Sequence, residues 1–189
     1  MIKRIIFRTV AFVIIVAGFK FAIDTKRPGS NLTVEQEYHQ KMAELSRRYE
    51  AIEKEGVAAN TTAESRPPGT PGTAQELLAA LNKVHQEKER YIADLNALNV
   101  PKKFEEAHTT FLAWKKQEQE TERKLIDGYA AYNSGKKELA SKIDEMLKSS
   151  EKVSQQYEEK LSSIAKKSGF DSIEKFFGQK AKSEPAAKP

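Results

Sequence analysis

The chain of 189 residues contains no cysteine. This absence excludes disulfide bridges, thiolate zinc sites, cysteine nucleophiles, covalently attached c-type haem and a lipidated N-terminal cysteine. Glycine and proline are also scarce, with nine and seven residues, and this composition excludes a collagen-like or low-complexity chain. The length is that of one modest domain with appendages.

No excess of positive charge remains once the N-terminus is set aside. The chain has 32 Lys and Arg against 27 Asp and Glu, and residues 1–30 hold six of the basic residues but only one acidic residue. The remaining 26 basic and 26 acidic side chains balance. Because nucleic-acid binding needs clustered Lys and Arg to neutralise phosphates, we expect no nucleic-acid partner.

Sequence signatures of catalysis are absent as well. The chain has no His-Glu-x-x-His, no Gly-rich phosphate loop and no Gly-x-Ser-x-Gly. Its carboxylates alternate with lysines at the spacing of exposed helix faces, whereas acid–base catalysis needs carboxyl groups in dry pockets. We therefore predict that the protein is not an enzyme and has no catalytic residues.

The N-terminus does contain a long apolar run. With its flanks the run covers Ile5–Ile23, which is about 28 Å as a helix and close to the thickness of the hydrocarbon core of a bilayer. Arg8 and Lys20 can extend to the two interfaces. We predict a membrane anchor or signal segment within residues 1–27. The predicted span includes Ile5, Phe12, Ile15, Phe19 and Ile23.

A cleaved signal peptide is the main alternative, because basic residues precede an apolar segment of suitable length. No small-x-small cleavage site follows the run, and this favours a retained anchor. A short tail before a single span stays in the cytoplasm, so residues 30–189 are expected on the extracytoplasmic (periplasmic) side of the cell membrane. Asn31 and Asn60 begin Asn-x-Thr patterns, which are acceptors in a host that glycosylates.

The chain that follows has the pattern of helices. The first helix is predicted over residues 33–56, with a capping box formed by Thr33 and Gln36 and a stop at Gly56. Residues 57–73, rich in Ala, Thr, Pro and Gly, are predicted to form a flexible linker. The apolar stripe of the first helix has spacings of four and three and consists of Tyr38, Met42, Leu45, Tyr49 and Ile52.

A helical bundle is predicted over residues 74–177. Its third and fourth helices, 101–133 and 136–168, have equal lengths and a tight turn between them, which predicts an antiparallel, coiled-coil-like hairpin. The stripe of the second helix consists of Leu77, Leu81, Val84, Lys88, Tyr91, Leu95 and Leu98. The seam of the fourth consists of Leu139, Ile143, Met146, Ser150, Val153, Tyr157 and Ile164, and such a heptad pattern also permits a homo-oligomer.

A last short helix over Ser172–Phe177 is expected to fold back on the end of the bundle through Phe176 and Phe177. Residues 178–189 are predicted to be a disordered tail. The predicted fold class is therefore all-α, with an N-terminal transmembrane helix followed by an antiparallel three- or four-helix bundle.

The third helix has an anomaly, because Lys115–Lys124 contains no apolar residue. The favoured interpretation is a solvated stretch in which Glu118 and Glu122 pair locally. The alternative is a polar layer or a binding patch in the middle of the bundle.

Glu105 and His108 match the Glu-x-x-His step of di-iron carboxylate bundles, where two copies are needed. The other two histidines do not supply the second copy, since His85 follows Asn82 and His39 follows Gln36 at that spacing. Met42 and Met146 are interpreted as core residues rather than as haem ligands. We therefore predict no metal site and no cofactor.

Leu32-Thr-Val-Glu-Gln36 resembles the Leu-Thr-x-x-Gln motif of the small periplasmic chaperones of the Spy/CpxP type. The resemblance implies an all-helical, extracytoplasmic protein with a charged surface that holds unfolded clients. Val100–His108 is similar to helix starts of anchored bacterial helical proteins, which implies no particular mechanism.

These patterns predict a single-pass membrane protein that acts by binding another protein or as a scaffold or spacer. The candidate partner-binding surface is the stripe from Tyr38 to Ile52, which the linker would release to a partner or to a second copy. A soluble periplasmic chaperone formed by signal cleavage is the alternative, and a metal- or haem-binding bundle is less favoured.

Overall fold

The structure is a computed structural model that describes residues 32–67, 70–135 and 139–178. The predicted anchor and the tail after Gly178 lie outside these residues. The described elements are α1 (Val34–Ser65), α2 (Thr73–Asn96), a 3-10 turn (Lys102–Phe104), α3 (Glu105–Asn133), α4 (Leu139–Lys167) and α5 (Ile173–Gly178).

The four long helices alternate in direction and pack in chain order, α1 on α2, α2 on α3 and α3 on α4. This arrangement confirms the prediction of an all-helical, antiparallel bundle. Between described residues, the Cα atoms of α1 and α4 do not come within 8 Å of each other, but α5 packs against both helices. The short last helix therefore closes one end of the bundle between α1 and α4.

The start of α1 is the capping box that the sequence predicts. Thr33 Oγ1 accepts a hydrogen bond from the Gln36 amide at 3.2 Å, and Gln36 Oε1 accepts one from the Thr33 amide at 3.1 Å. Two amides that a helix start leaves without partners are thus satisfied, which holds the first turn of α1 in place.

The predicted end of α1 at Gly56 is wrong, because the helix continues to Ser65. Gly56 lies where α1 passes close to α2, and a Cβ atom at this position would be 3.6 Å from Val84 Cγ1. Packing against α2 outweighs the low helix propensity of glycine. The first part of the predicted 57–73 linker is therefore helical, and the connection shortens to residues 66–72. It ends at Gly72, whose φ of +83° suits glycine.

The core is richest in aromatic rings at the end of the bundle that α5 covers. Phe176 and Phe177 are fully buried, as the sequence predicts for the folded-back helix. Phe176 packs edge to face on Phe104, Phe104 stacks on Tyr38, and Phe177 contacts Phe111. Rings from α1, the 3-10 turn, α3 and α5 therefore meet in one cluster, and this cluster anchors a helix too short to be stable alone.

Candidate functional site

The candidate partner-binding stripe faces the inside of the bundle. Tyr38, Met42, Leu45 and Ile52 are buried in the core, and Tyr49 packs against it half-buried. In this structure the stripe is thus covered by the helices of the chain itself. Its role in binding a partner stays a prediction, and it requires α1 to leave its place.

The polar stretch Lys115–Lys124 contributes three charged side chains to the interior. Lys115 is 2% exposed, Glu118 is 16% exposed and Glu122 is 18% exposed. Their neighbours on the outer face, such as Lys116 and Glu120, are exposed. The interpretation of a wholly solvated stretch is therefore wrong, because the inner face of α3 lies against charged groups of α1 and α2.

These inner residues belong to a set of ionisable groups between α1, α2 and α3, which we call the ionic layer. Its centre is Lys88 on α2, whose Nζ lies 2.6 Å from Oε1 of Glu53 on α1 and 2.7 Å from Oε1 of Glu122 on α3. One ammonium group thereby joins three helices. The ionic layer consists of Glu53, His85, Lys88, Lys115, Glu118 and Glu122.

His85 extends the layer along α2. Its Nδ1 lies 3.3 Å from Glu122 Oε2, and its Nε2 lies 3.6 Å from Glu89 Oε1 on the more exposed side. Both ring nitrogens thus face carboxylate oxygens. The imidazole can donate to Glu122 and so adds a second donor to the one that Lys88 provides.

Lys115 is held in a different way from Lys88. It has one carboxylate partner, Glu118, at 2.8 Å, and Glu118 also accepts a hydrogen bond from the Tyr49 hydroxyl at 3.4 Å. The Nζ atom of Lys115 lies 4.4 Å from the ring centre of Tyr49, 4.7 Å from Trp114 and 5.5 Å from Phe111. Three aromatic faces thus supplement one carboxylate in stabilising a buried ammonium group.

The two carboxyl groups beside Lys88 have pKa values shifted in opposite directions. Burial raises the pKa of Glu53, and Lys88 compensates only in part. Burial acts on the pKa of Glu122 in the same way, but the attraction of Lys88 and the hydrogen bond from His85 outweigh it and lower that pKa. The pKa of Lys88 is raised, since Glu122 and Glu53 together exceed the effect of its burial. Of the two carboxylates beside Lys88, Glu53 is thus the less stabilised.

The contacts of Glu53 explain this difference. Its Oε1 forms an ion pair with Lys88 but, like Oε2, has no hydrogen bond of regular geometry from any described residue, and Oε2 has no ion-pair partner there either. Glu122 in contrast binds Lys88 through one oxygen and His85 through the other. A buried carboxylate with one unpartnered oxygen has an incompletely compensated desolvation cost.

The Glu-x-x-His pair does not converge. Glu105 is exposed, whereas His108 is buried between helices. Nδ1 of His108 accepts a hydrogen bond from the Tyr38 hydroxyl at 3.1 Å, and its Nε2 donates to the Leu95 carbonyl at 3.1 Å. Burial lowers the pKa of His108, so that the neutral ring is favoured, and this ring joins α1, α2 and α3.

The other candidate ligands are also engaged in structural contacts. His39 Nδ1 donates to the Phe177 carbonyl at 2.7 Å and holds α5 against α1. Met42 lies in the core, and Met146 on α4 is half-buried. Within the described ranges, no group of three or more His, Asp or Glu side chains has the arrangement of a metal site.

Asn60, the second glycosylation pattern, is 3% exposed within α1, so the folded chain does not present it to a transferase. Asn31 lies outside the described residues. The described residues include no helix with the length and apolarity needed to cross a membrane, and Ile5–Ile23 is not among them. Comparison of the chain with protein-family models, with curated proteins and with solved structures gave no match.

Sequence reasoning named a polar layer only as the less favoured alternative for Lys115–Lys124, although the sequence contains a second signal of it. Lys88 occupies a position on the apolar stripe of α2, where a charged side chain needs a buried partner. Glu53 gives no comparable signal, because it follows the apolar stripe of α1 and resembles the exposed glutamates around it. Which carboxylate pairs with Lys88 depends on how the helices pack.

Proposed function

We propose that the protein is a membrane-anchored, extracytoplasmic helical bundle that acts by binding another protein or as a scaffold or spacer, without catalysis. The observation that carries the proposal is that α1, which follows the N-terminal apolar run in the sequence, is bound to the bundle near its start and again in its second half. His39 and Tyr38 hold its first turns, and Glu53 holds its second half. A helix fixed in this way transmits the position of an anchor to the whole domain.

The dimensions support a spacer. Ten residues of the sequence separate Ile23 from Val34, and Val34 begins α1 at the end of the bundle that α5 covers. The helices α3 and α4 have 29 residues each, or about 44 Å at the rise of an α-helix. The proposed spacer would have a length of this order along the axis of the bundle.

The surface favours a specific partner over promiscuous clients. Among the described residues, the large hydrophobic side chains that are exposed are Leu32 and Val34, which lie just before α1 and at its first position. Holding unfolded clients needs a wide apolar surface. Charged side chains such as Lys54, Arg90 and Lys124 cover the outside of the helices, and a partner of matching charge suits such a surface.

The alternative of a soluble periplasmic chaperone is supported by the Leu32–Gln36 motif. Two of the three motif residues, Thr33 and Gln36, form the capping box of α1. They therefore have a local role in starting the helix, which accounts for these two residues without a shared activity.

The decisive experiment is the intact mass of the native protein in separated membrane and soluble fractions. We expect the full-length chain in the membrane fraction and its release by Ile15→Arg, which places a charge in the middle of the apolar run. Val34→Arg, outside the run, serves as the control and should stay in the membrane fraction. A shortened species in the soluble extracytoplasmic fraction would refute the anchor and favour the chaperone alternative.

A further inference from the structure

Among the polar contacts of α1, two are formed by pairs of buried side chains and lie about four helical turns apart. Near its start the Tyr38 hydroxyl donates to His108 Nδ1 at 3.1 Å, and further along Glu53 Oε1 lies 2.6 Å from Lys88 Nζ. All four side chains are buried. Each contact joins α1 to a different helix, the first to α3 and the second to α2.

The apolar stripe between these contacts repeats with a period of seven residues. Tyr38, Leu45 and Ile52 occupy equivalent positions, as do Met42 and Tyr49. If α1 slides by seven residues along its neighbours, three of the five stripe residues still fall on the apolar track. Because apolar burial is non-directional, the stripe by itself discriminates weakly between these axial positions.

The polar contacts do not repeat in this way. A slide by seven residues brings Asn60 or Ser46 to the place of Glu53, opposite Lys88. In the slide that brings Asn60 to the place of Glu53, Leu45 takes the place of Tyr38 opposite His108. A buried ammonium group then loses a carboxylate, and a buried imidazole nitrogen loses its donor. Both losses are costly, because a buried polar group without its partner retains its full desolvation cost.

We propose that the contacts Glu53–Lys88 and Tyr38–His108, which we call the register contacts, select one axial position of α1 against α2 and α3. They act as buried polar residues do in coiled coils, where they specify register rather than add stability. The unpartnered Oε2 of Glu53 agrees with this role. The desolvation cost of Glu53 is incompletely compensated, so the residue adds little stability, but its contact with Lys88 forms in only one axial position of α1.

The axial position of α1 can be measured with spin labels attached to introduced cysteines, because the chain has no cysteine of its own that would also be labelled. Lys41→Cys on α1 and Gln75→Cys on α2 place two spin labels on exposed sites at opposite ends of this helix pair. A slide of seven residues changes the axial separation of the labels by about 10 Å. Pulsed electron resonance on the labelled full chain resolves such a change.

The test moves the carboxylate of Glu53 seven residues along α1 by exchanging it with Asn60, and this exchange does not change the amino-acid composition. In a Tyr38→Phe background, Glu53→Asn with Asn60→Glu should produce a second distance displaced by about 10 Å from the native one. The control in the same background is Glu55→Gln with Lys83→Gln, which removes an exposed ion pair between the same two helices and should leave the native distance alone. If the exchanged variant shows only the native distance between the labels, the proposal is overturned.

A second variant covers the case in which the exchanged chain does not fold. Tyr38→Phe with Glu53→Leu, Lys88→Met and Glu122→Leu replaces the central charges of the layer by apolar side chains, a change that bundles often tolerate. This variant should fold with mixed distances. A single native distance here would show that the apolar stripe alone sets the register, and the proposal would fail.

Discussion

Lys88 Nζ lies 2.6 Å from Glu53 Oε1, and this buried pair joins α1 to α2 in the interior of the bundle. The lysine is part of the apolar stripe of α2, so its charge depends on carboxylates from the neighbouring helices. This dependence makes the ionic layer sensitive to the removal of one partner and to pH.

Replacing Lys88 with methionine leaves Glu53 and Glu122 buried without their shared cation. We expect the free energy of unfolding at neutral pH to fall by about 3–5 kcal/mol, as measured by urea denaturation. Acidification should recover part of the loss, since the unpaired carboxyl groups then bind protons. The control is Lys83→Met, in which the partner Glu55 is exposed, and it should behave like the wild type. An equal loss in the two variants would contradict the central role of Lys88.

Glu53 and Glu122 should contribute to the pH dependence of stability with opposite signs. The pKa of Glu53 is raised in the folded state, so its contribution is present below the ordinary value of 4.5 and is lost as pH rises through the folded pKa. The pKa of Glu122 is lowered, so its contribution is present above 4.5 and is lost as pH falls through the folded pKa.

Two glutamine variants separate these contributions. Relative to the wild type, Glu122→Gln should lose less stability on acidification below pH 4.5. Glu53→Gln should gain less stability than the wild type when the pH is lowered toward 4.5, because the wild-type carboxyl group binds a proton more readily in the folded state. Denaturation curves at a series of pH values provide the slopes. If both variants change the dependence of stability on pH in the same direction, the opposite pKa shifts of Glu53 and Glu122 are refuted.

His108 should make the protein less stable as pH falls below 6.5. Burial lowers its pKa in the folded state, so the unfolded chain binds a proton first, and stability is lost from the ordinary value of 6.5 down to the folded pKa. Protonation also turns Nδ1 into a donor opposite the Tyr38 hydroxyl. Nuclear magnetic resonance titration of the ring should show a midpoint below 6.5, and a midpoint above this value would contradict the prediction.

Gly56→Ala should stabilise the protein by about 0.5–1 kcal/mol, because alanine has the higher helix propensity. The new Cβ would lie at ordinary contact distance from Val84. Gly72→Ala is the matched comparison and should destabilise, since Gly72 has a φ of +83°. Thermal unfolding of the two variants measures both effects, and a loss of stability in Gly56→Ala would argue against a continuous α1.

The parts of the fold that were predictable depend on local chemistry. Thr33 and Gln36 cap α1 through contacts three residues apart, which any chain with this pattern can form. Phe176 and Phe177 are too apolar to be left in water, so the folding back of α5 was also predictable. Gly56 misled because local propensity predicts a stop there, whereas close packing on Val84 favours continuation.

The amino-acid sequence by itself determined the long helices, the capped start of α1, the inward stripes and the presence of charge at inward positions such as Lys88. Only the tertiary structure decided which charges meet, namely that Glu53, Glu122 and Lys88 form one group and that Tyr38 binds His108. The physical reason is that periodicity marks the face of a helix that is buried, while a buried charge depends on residues more than thirty positions away. Their proximity exists only once three helices have packed.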